Sequence, residues 1–168
     1  MNIIAISGKK GSGKDTVGDI ILSDYKGISA KVGFAFALKL EVAKAFNITV
    51  DELESKKSHF RLVLQGWGTD VRRHLYGDDY WLRKMDAVIK SLVEEGCQLL
   101  IIPDVRFKNE LEYCEAHGAI TIRVERPSLP YDSHKSETEL DNNHFDYILR
   151  NDKTLFELEC LVKQIKVI

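Results

Sequence analysis

No stretch of this chain approaches the roughly 20 consecutive apolar residues needed to cross a bilayer, so a membrane-spanning protein is not expected. Its start, MNIIAISG, lacks the basic region and cleavage site of a signal peptide and reads as a first strand. Cysteine is scarce. Cys97, Cys114 and Cys160 lie far apart without metal-ligand spacing, a pattern that points to buried free thiols in a reducing compartment. Neither sign of charge dominates: the formal net charge is -2, which argues against a duplex DNA binder, although a basic pocket can sit inside a balanced total. Internal repeats and low-complexity segments are missing too. What remains is 168 residues, 44% of them hydrophobic, enough for one globular domain with a sizeable core.

Strand and helix signals alternate along the chain. NIIAIS is a short apolar run that stops at glycines, and residues 14 to about 22 put Val17, Ile20 and Ile21 on one helical face. AKVGFA, residues 30–35, is a candidate second strand, followed by a helix over about 38–46. Asp51 with Glu54 has capping-box spacing and predicts a helix start. If SHFRLVLQGWGTDVRRHLYG is one helix, Leu64, Gly68, Val71 and Leu75 line one side, with Trp67 beside them. Arg61, Gln65, Thr69, Arg72 and Tyr76 then follow another side. The two internal glycines weaken that helix by about 1 kcal/mol each relative to alanine. YWLRKMDAVIKSLVEEG predicts an amphipathic helix that stops at Gly96.

CQLLIIPDVRF is a continuous apolar run, the signature of a central parallel strand covered on both faces. A helix over about 109–117, a strand at AITIRV, a polar stretch over 126–143 and a strand near FDYIL follow. Thr154 and Glu157 form a further capping box, opening a helix with the stripe Leu155, Leu158, Val162 and Ile165. The alternation predicts an α/β sheet. Two excursions interrupt it, one over about 36–95 and one after Val124, and both are expected on the carboxyl side of the sheet, where such folds bind ligands.

Gly8, four residues, then Gly13-Lys14 is phosphate-loop spacing, set after a strand and before a helix. Backbone N–H groups over Gly11, Ser12, Gly13, Lys14, Asp15 and Thr16 can surround phosphate oxygens, and Lys14 can follow the transferred charge. Where the general motif has Ser or Thr, this chain has Asp15. That carboxylate can hold magnesium, directly or through water, face Lys10 or an arginine, or simply cap the helix. Asp104 ends the buried LLIIP run, where an acid can orient magnesium-bound water, or merely open a turn. Arg106 can clamp an anionic substrate or pair with Glu110. Direct phosphoryl transfer needs no nucleophile and base pair, and none is evident.

The set SGKKGSGKDT, QGWGTDVRR, PDVRFKNE, SHKSE and LRND resembles the deoxynucleoside monophosphate kinases of the bacteriophage type, from Asn2 to the last helix. In that family Lys-Asp-Thr after the last loop glycine is the ordinary form. The resemblance implies MgATP-dependent phosphorylation of a deoxynucleoside 5'-monophosphate to its diphosphate. It implies a single three-layer P-loop kinase domain over 1–168: a five-stranded parallel sheet, a helical substrate-binding excursion over about 36–95 and a lid over about 125–145. The implied catalytic residues are Lys14, Asp104 and Arg106, with ATP and Mg2+ as cofactors and Asp15 and Asp104 toward the metal. Lys10 and Arg106 match positions near the acceptor phosphate, with Glu110 in the same motif. Gln65, Trp67, Thr69, Asp70 and Arg72 fall in the substrate-side motif, and His134, Ser136 and Glu137 in the lid.

Several of these residues have a second reading. Arg61 and Arg72 can receive a phosphate or belong to a solvated helix face, while Gln65 and Thr69 can read a base edge. Trp67 can stack on a base or join the core. Asp70 can meet a ribose or lock Arg73. Ser136 with Glu139 has capping-box spacing and can simply start a helix. Asn151 and Asp152 can lie beside adenine or form a helix-start turn. The rival activities are kinases of other phosphorylated acceptors, phosphomevalonate or dephospho-coenzyme A, and a nucleotide-dependent regulatory protein. Action in the cytoplasm of a phage-infected bacterium is expected, without a nucleic-acid polymer or membrane partner. The sequence leaves monomer and homodimer both open.

Overall fold

The computed structural model describes residues 1–165. The chain begins with β1 (Asn2–Ser7), α1 (Lys14–Asp24) and β2 (Ser29–Lys31). A helical region follows: α2 (Ala35–Ala45), α3 (Val50–Ser55), α4 (Lys57–Gln65), a π-helical segment (Gly66–Arg73), α5 (His74–Tyr76) and α6 (Tyr80–Glu94). The remainder comprises β3 (Leu99–Val105), α7 (Lys108–Ala116), β4 (Ile120–Glu125), α8 (Lys135–Thr138), β5 (Tyr147–Arg150) and α9 (Leu155–Val162). These elements form two compact units, one of Met1–Gly33 with the chain from Leu92 onward, the other of Phe34–Ser91.

The first unit is built on a five-stranded sheet in the order β2-β3-β1-β4-β5, with every pairing parallel. β1 is central, with Ile4 opposite Ile101 on one side and Ile120 on the other. Apolar runs form these strands because both faces are covered: Ile4, Ile6, Leu99, Ile101, Ile122 and Val124 are buried with Val17 and Ile21 of α1 and Leu158 and Val162 of α9, while the alternate residues Ile3, Ala5, Leu100 and Ile102 are buried on the other face. Parallel neighbours need crossovers, so β1 meets strands distant in sequence and ends at the carboxyl edge of the sheet, followed directly by the glycine turn. The second strand is shorter than AKVGFA suggests, because the chain leaves the sheet at Val32 and Phe34 precedes a helix.

The Thr154–Glu157 capping box forms as its spacing predicts, with Thr154 Oγ1 accepting from Glu157 N at 3.3 Å. Leu155 does not join the apolar stripe and is exposed, since the buried face of α9 starts one turn later at Leu158. The thiol expectation also needs correction: Cys97 and Cys114 are buried, but Cys160 is exposed on α9.

The second unit has its own small core of Val42, Ala43 and Leu53, covered by Leu38, Phe60, Leu64 and Trp67 among others. Its α3 is capped two residues earlier than Asp51 suggests. Thr49 is the N-cap, and its box partner is Glu52, whose carboxylate accepts from Thr49 N at 2.8 Å.

The single helix expected over SHFRLVLQGWGTDVRRHLYG is interrupted by the π-helical segment. Its wider turn rotates everything after Gly66, so Val71 and Leu75 are exposed instead of continuing the Leu64 side. Both glycines lie in this segment. A Cβ at Gly68 would come within 3.0 Å of Leu38 Cδ2, and Gly68 O accepts a buried bond from Trp81 Nε1 at 3.0 Å. Close packing and a side-chain donor thus replace part of the ordinary helical ladder.

Candidate active site

The glycine turn after β1 is shaped by its backbone. Gly8, Gly11 and Gly13 have φ of 145°, 80° and 102°, a region that side chains disfavour. A Cβ on Gly8 would lie 2.4 Å from Val124 O, and one on Gly13 would lie 2.5 Å from Asn151 Nδ2. Gly13 caps α1 without a side-chain acceptor, leaving the amides at the helix start open toward an anion. Asn151, at the end of β5, donates from Nδ2 to Ser12 O at 2.8 Å, while its own N–H goes to Glu125 O at 2.7 Å. It fastens the loop to the sheet. Beside it, a cleft of about 420 Å³ is lined by Asn151, Asp152, Lys153, Thr154 and Leu158 among others.

Lys14 is only 6% exposed, and its Nζ donates to Lys9 O at 2.8 Å. Burial, and after it the Arg106 charge, lower its pKa to about 8, against the weaker opposing pull of Glu137, Asp15 and Asp104. Ser12 Oγ is fully buried and has no hydrogen-bond partner among the described residues. A cation short of countercharge beside an unsatisfied hydroxyl, in a cradle of open amides, fits a polyphosphate.

Around the loop the predicted acceptor and lid residues converge. Glu137, buried on α8, accepts from Lys10 N at 2.7 Å and forms a short ion pair with Arg106. Arg106 Nη1 also reaches Ser136 O at 3.4 Å. Glu137 takes the Arg106 guanidinium, while Glu110 accepts the backbone N–H groups of Arg106 at 2.9 Å and Phe107 at 3.1 Å. Asp104, half-buried, lies against Gly33, where a Cβ would come within 2.4 Å of its carboxyl atoms. Asp15 is exposed in the first turn of α1, and Thr16 is half-buried.

The helix start in the polar stretch falls on His134 rather than Ser136. His134 Nδ1 accepts from Ser136 N at 3.2 Å and contacts Ser136 Oγ at 2.8 Å, whereas Glu139 accepts from Lys108 N at 2.8 Å. Further bonds tie this stretch to the loop: Arg126 Nη1 to Gly11 O at 3.4 Å, and Lys9 Nζ to Asp141 at 3.0 Å. Asp141 also pairs with Arg123, which donates to Ser7 Oγ at 3.1 Å.

In the helical unit Trp67 and Arg72 come together, the guanidinium 5.3 Å from the indole centroid. Arg61, Gln65 and Thr69 are half-buried and Asp70 is exposed, while Arg73 is buried and donates to Asp78 O at 3.0 Å. Sequence reasoning missed Glu41 and Tyr80. Glu41 Oε2 accepts from Arg72 Nε at 2.7 Å and Trp67 Nε1 at 3.2 Å, and Tyr80 OH makes a short bond to Oε1. The one available signal was a carboxylate at Glu41 between Leu40 and Val42, the single acid of a largely apolar helix whose other charges are Lys39 and Lys44.

A glycine loop with a buried lysine, at the carboxyl end of the central strand of a 2-3-1-4-5 parallel sheet, defines a P-loop kinase. The pattern of the family described as deoxynucleotide monophosphate kinase matches residues 36–162, and the chain belongs to that family of phosphotransferases. A provisionally named deoxynucleotide monophosphate kinase of Acanthamoeba polyphaga mimivirus is 29% identical over 184 residues, 94% of this chain and 92% of its own. The deoxynucleotide monophosphate kinase of Enterobacteria phage T4 is 29% identical over 122 residues, 71% of this chain and 51% of its own length. This chain thus spans about half of the phage relative. The phosphomevalonate kinase of Drosophila melanogaster is 29% identical over 175 residues, covering 92% and 90%.

Proposed function

We propose that the chain transfers the γ-phosphoryl group of MgATP to the 5'-phosphate of a deoxynucleoside monophosphate. The observation that carries this is Lys14, buried with a pKa lowered to about 8 beside the partnerless Ser12 hydroxyl. Such a cation is stabilised when polyphosphate fills the cradle and is positioned to meet charge that develops on the transferred group. Asp15 and Asp104 would hold magnesium, a donor set that fits an ion taking one or two carboxylates plus phosphate oxygens. When bound, the ion neutralises charge on those oxygens.

Arg106 clamps the acceptor phosphate with its planar fork and Lys10 assists, and until then Glu137 holds the Arg106 guanidinium and the backbone N–H of Lys10. The acceptor is already anionic, so no strong base is required. Asn151 keeps the loop in shape for ATP. The segment over about 125–145, with His134, Ser136 and Glu137, acts as a lid that excludes water. The helical excursion over about 36–95, within one kinase domain, supplies the nucleoside contacts: Arg61, Gln65, Trp67, Thr69, Asp70 and Arg72. Glu110 serves by fixing the turn that carries Arg106. The site of action is the cytoplasm of a phage-infected bacterium.

The test is ADP formation from MgATP with each deoxynucleoside monophosphate in turn, with ribonucleotides and phosphomevalonate as controls and products identified by chromatography. Conversion to deoxynucleoside diphosphates is expected. ADP without a diphosphate product, or turnover of phosphomevalonate alone, overturns the assignment. The second outcome is the reading favoured by the similarity to the Drosophila enzyme. The aromatic residues around Arg72 favour a planar base over an aliphatic acceptor.

A further inference from the structure

Within the helical unit, three tertiary contacts converge on one carboxylate. Glu41, on α2, is bonded to Trp67 and Arg72 of the π-helical segment and to Tyr80 of α6. Both of its oxygens are engaged, one by the indole and the guanidinium Nε, the other by the phenol. Burial alone would raise its pKa, but the bonds from Tyr80, Trp67 and Arg72 outweigh that and hold it below the usual carboxylate range. The charge therefore persists at neutral pH.

The arrangement leaves one edge of Arg72 unused. Glu41 takes Nε, while the ring centroids of Trp67, Tyr76 and Tyr80 lie 5.3, 5.4 and 5.8 Å from the guanidinium carbon. A guanidinium has five N–H donors, and the four on its terminal amino groups make no hydrogen bond among the described residues. A carboxylate seeking only the strongest ion pair would take the fork end-on, two bonds at once. Side-on capture by Nε, with the second oxygen committed to Tyr80, fixes the plane of the guanidinium and keeps its fork available. The same carboxylate sets the tilt of the Trp67 ring.

We propose that Glu41 is a positioning residue for the acceptor nucleotide, holding Arg72 and Trp67 so that the free fork of Arg72 meets a pair of adjacent acceptor atoms. This rests on the acceptor assignment made above. Two parts of a nucleotide offer such a pair, the base edge and the 5'-phosphate, and Trp67 offers a face for the base in either case.

Steady-state kinetics of E41Q test the proposal, with each deoxynucleoside monophosphate varied at saturating MgATP and MgATP varied in turn. The substitution keeps the shape and removes the charge. The KM for the monophosphate is expected to rise about tenfold, the effect of losing one charge-assisted bond. The kcat and the KM for ATP should stay within about twofold. In an R72A background E41Q should add only the smaller part that acts through Trp67, since residues acting through one another are not additive. A rise equal for all bases places the fork on the phosphate, and a rise that varies with the base places it on the base edge. If E41Q does not fold, Y80F, which removes one donor to Glu41, should show a smaller rise in the same KM. An unchanged monophosphate KM in the folded variant overturns the proposal. So does a full additional effect in R72A, or parallel losses in both KM values and thermal stability. Absence of monophosphate turnover by the unaltered protein overturns the acceptor assignment itself, an outcome distinct from any of these.

Discussion

Lys14 is a charge the folded protein tolerates at a cost. Its pKa falls from 10.5 to about 8 on folding, so between those values the unfolded chain binds more protons and stability rises with pH. Below about pH 8 the ammonium is present in both states and its burial opposes folding throughout. K14M should therefore lower kcat by about 10²–10³-fold, the usual effect of losing one charge-stabilising group, while raising the thermal midpoint near pH 7. That advantage should shrink as pH climbs from 8 to 10.5. Paired melts of the two proteins at pH 7 and pH 10 check both signs. The residue was legible in the sequence because phosphate-loop spacing is local. Glu41 was not, because its partners lie 26, 31 and 39 residues away and no short spacing encodes them.

Elements show the same division between local and distant causes. The Thr154 box was readable because its partners are three residues apart, and T154A should cost about 1 kcal/mol in urea unfolding with activity unchanged. Near Asp51 the same rule chose the wrong pair, since Thr49 and Glu52 have equal spacing and only the entry angle of the chain decides between them. The π-helical segment was illegible because sequence periodicity assumes 3.6 residues per turn. Its support is tertiary: Trp81 Nε1 on Gly68 O. W81F leaves that carbonyl without its buried donor and should cost about 1–3 kcal/mol. Equilibrium unfolding measures the loss. The monophosphate KM should rise with it, because Trp67 and Arg72 lie in the same segment.

Across the whole molecule, the two units differ in how much they bury. The sheet unit encloses a continuous set of fully covered isoleucines, leucines and valines, whereas the helical unit gathers a smaller cluster of Val42, Ala43 and Leu53 with partly covered neighbours, and buries Phe34, Trp81 and Met85 besides. Amide hydrogen exchange should therefore be slowest in β1, β3 and β4 and faster by at least about tenfold across α2 to α5. A deoxynucleoside monophosphate should slow exchange in the helical unit, and a non-hydrolysable ATP analogue should slow it over Gly8 to Thr16. Equal protection of the two units without ligand would contradict the prediction. The parallel sheet itself was legible, since uninterrupted apolar runs require cover on both faces. The strand order follows from non-local pairings, such as Ile4 with Ile101 and with Ile120, that no local pattern records.

The bond from Asn151 to Ser12 spans 139 positions, and it has a consequence for synthesis. β1 leaves the ribosome long before its neighbours β3 and β4 exist, while helices α2 to α4 can form from local contacts in the interval. The proposed nucleotide loop is thus translated early, but the bond from Asn151 that fastens it forms only when β5 arrives. An incomplete nascent chain carries the motif without that bond, so ATP-binding capacity is expected late in translation, as a report that the sheet is finished.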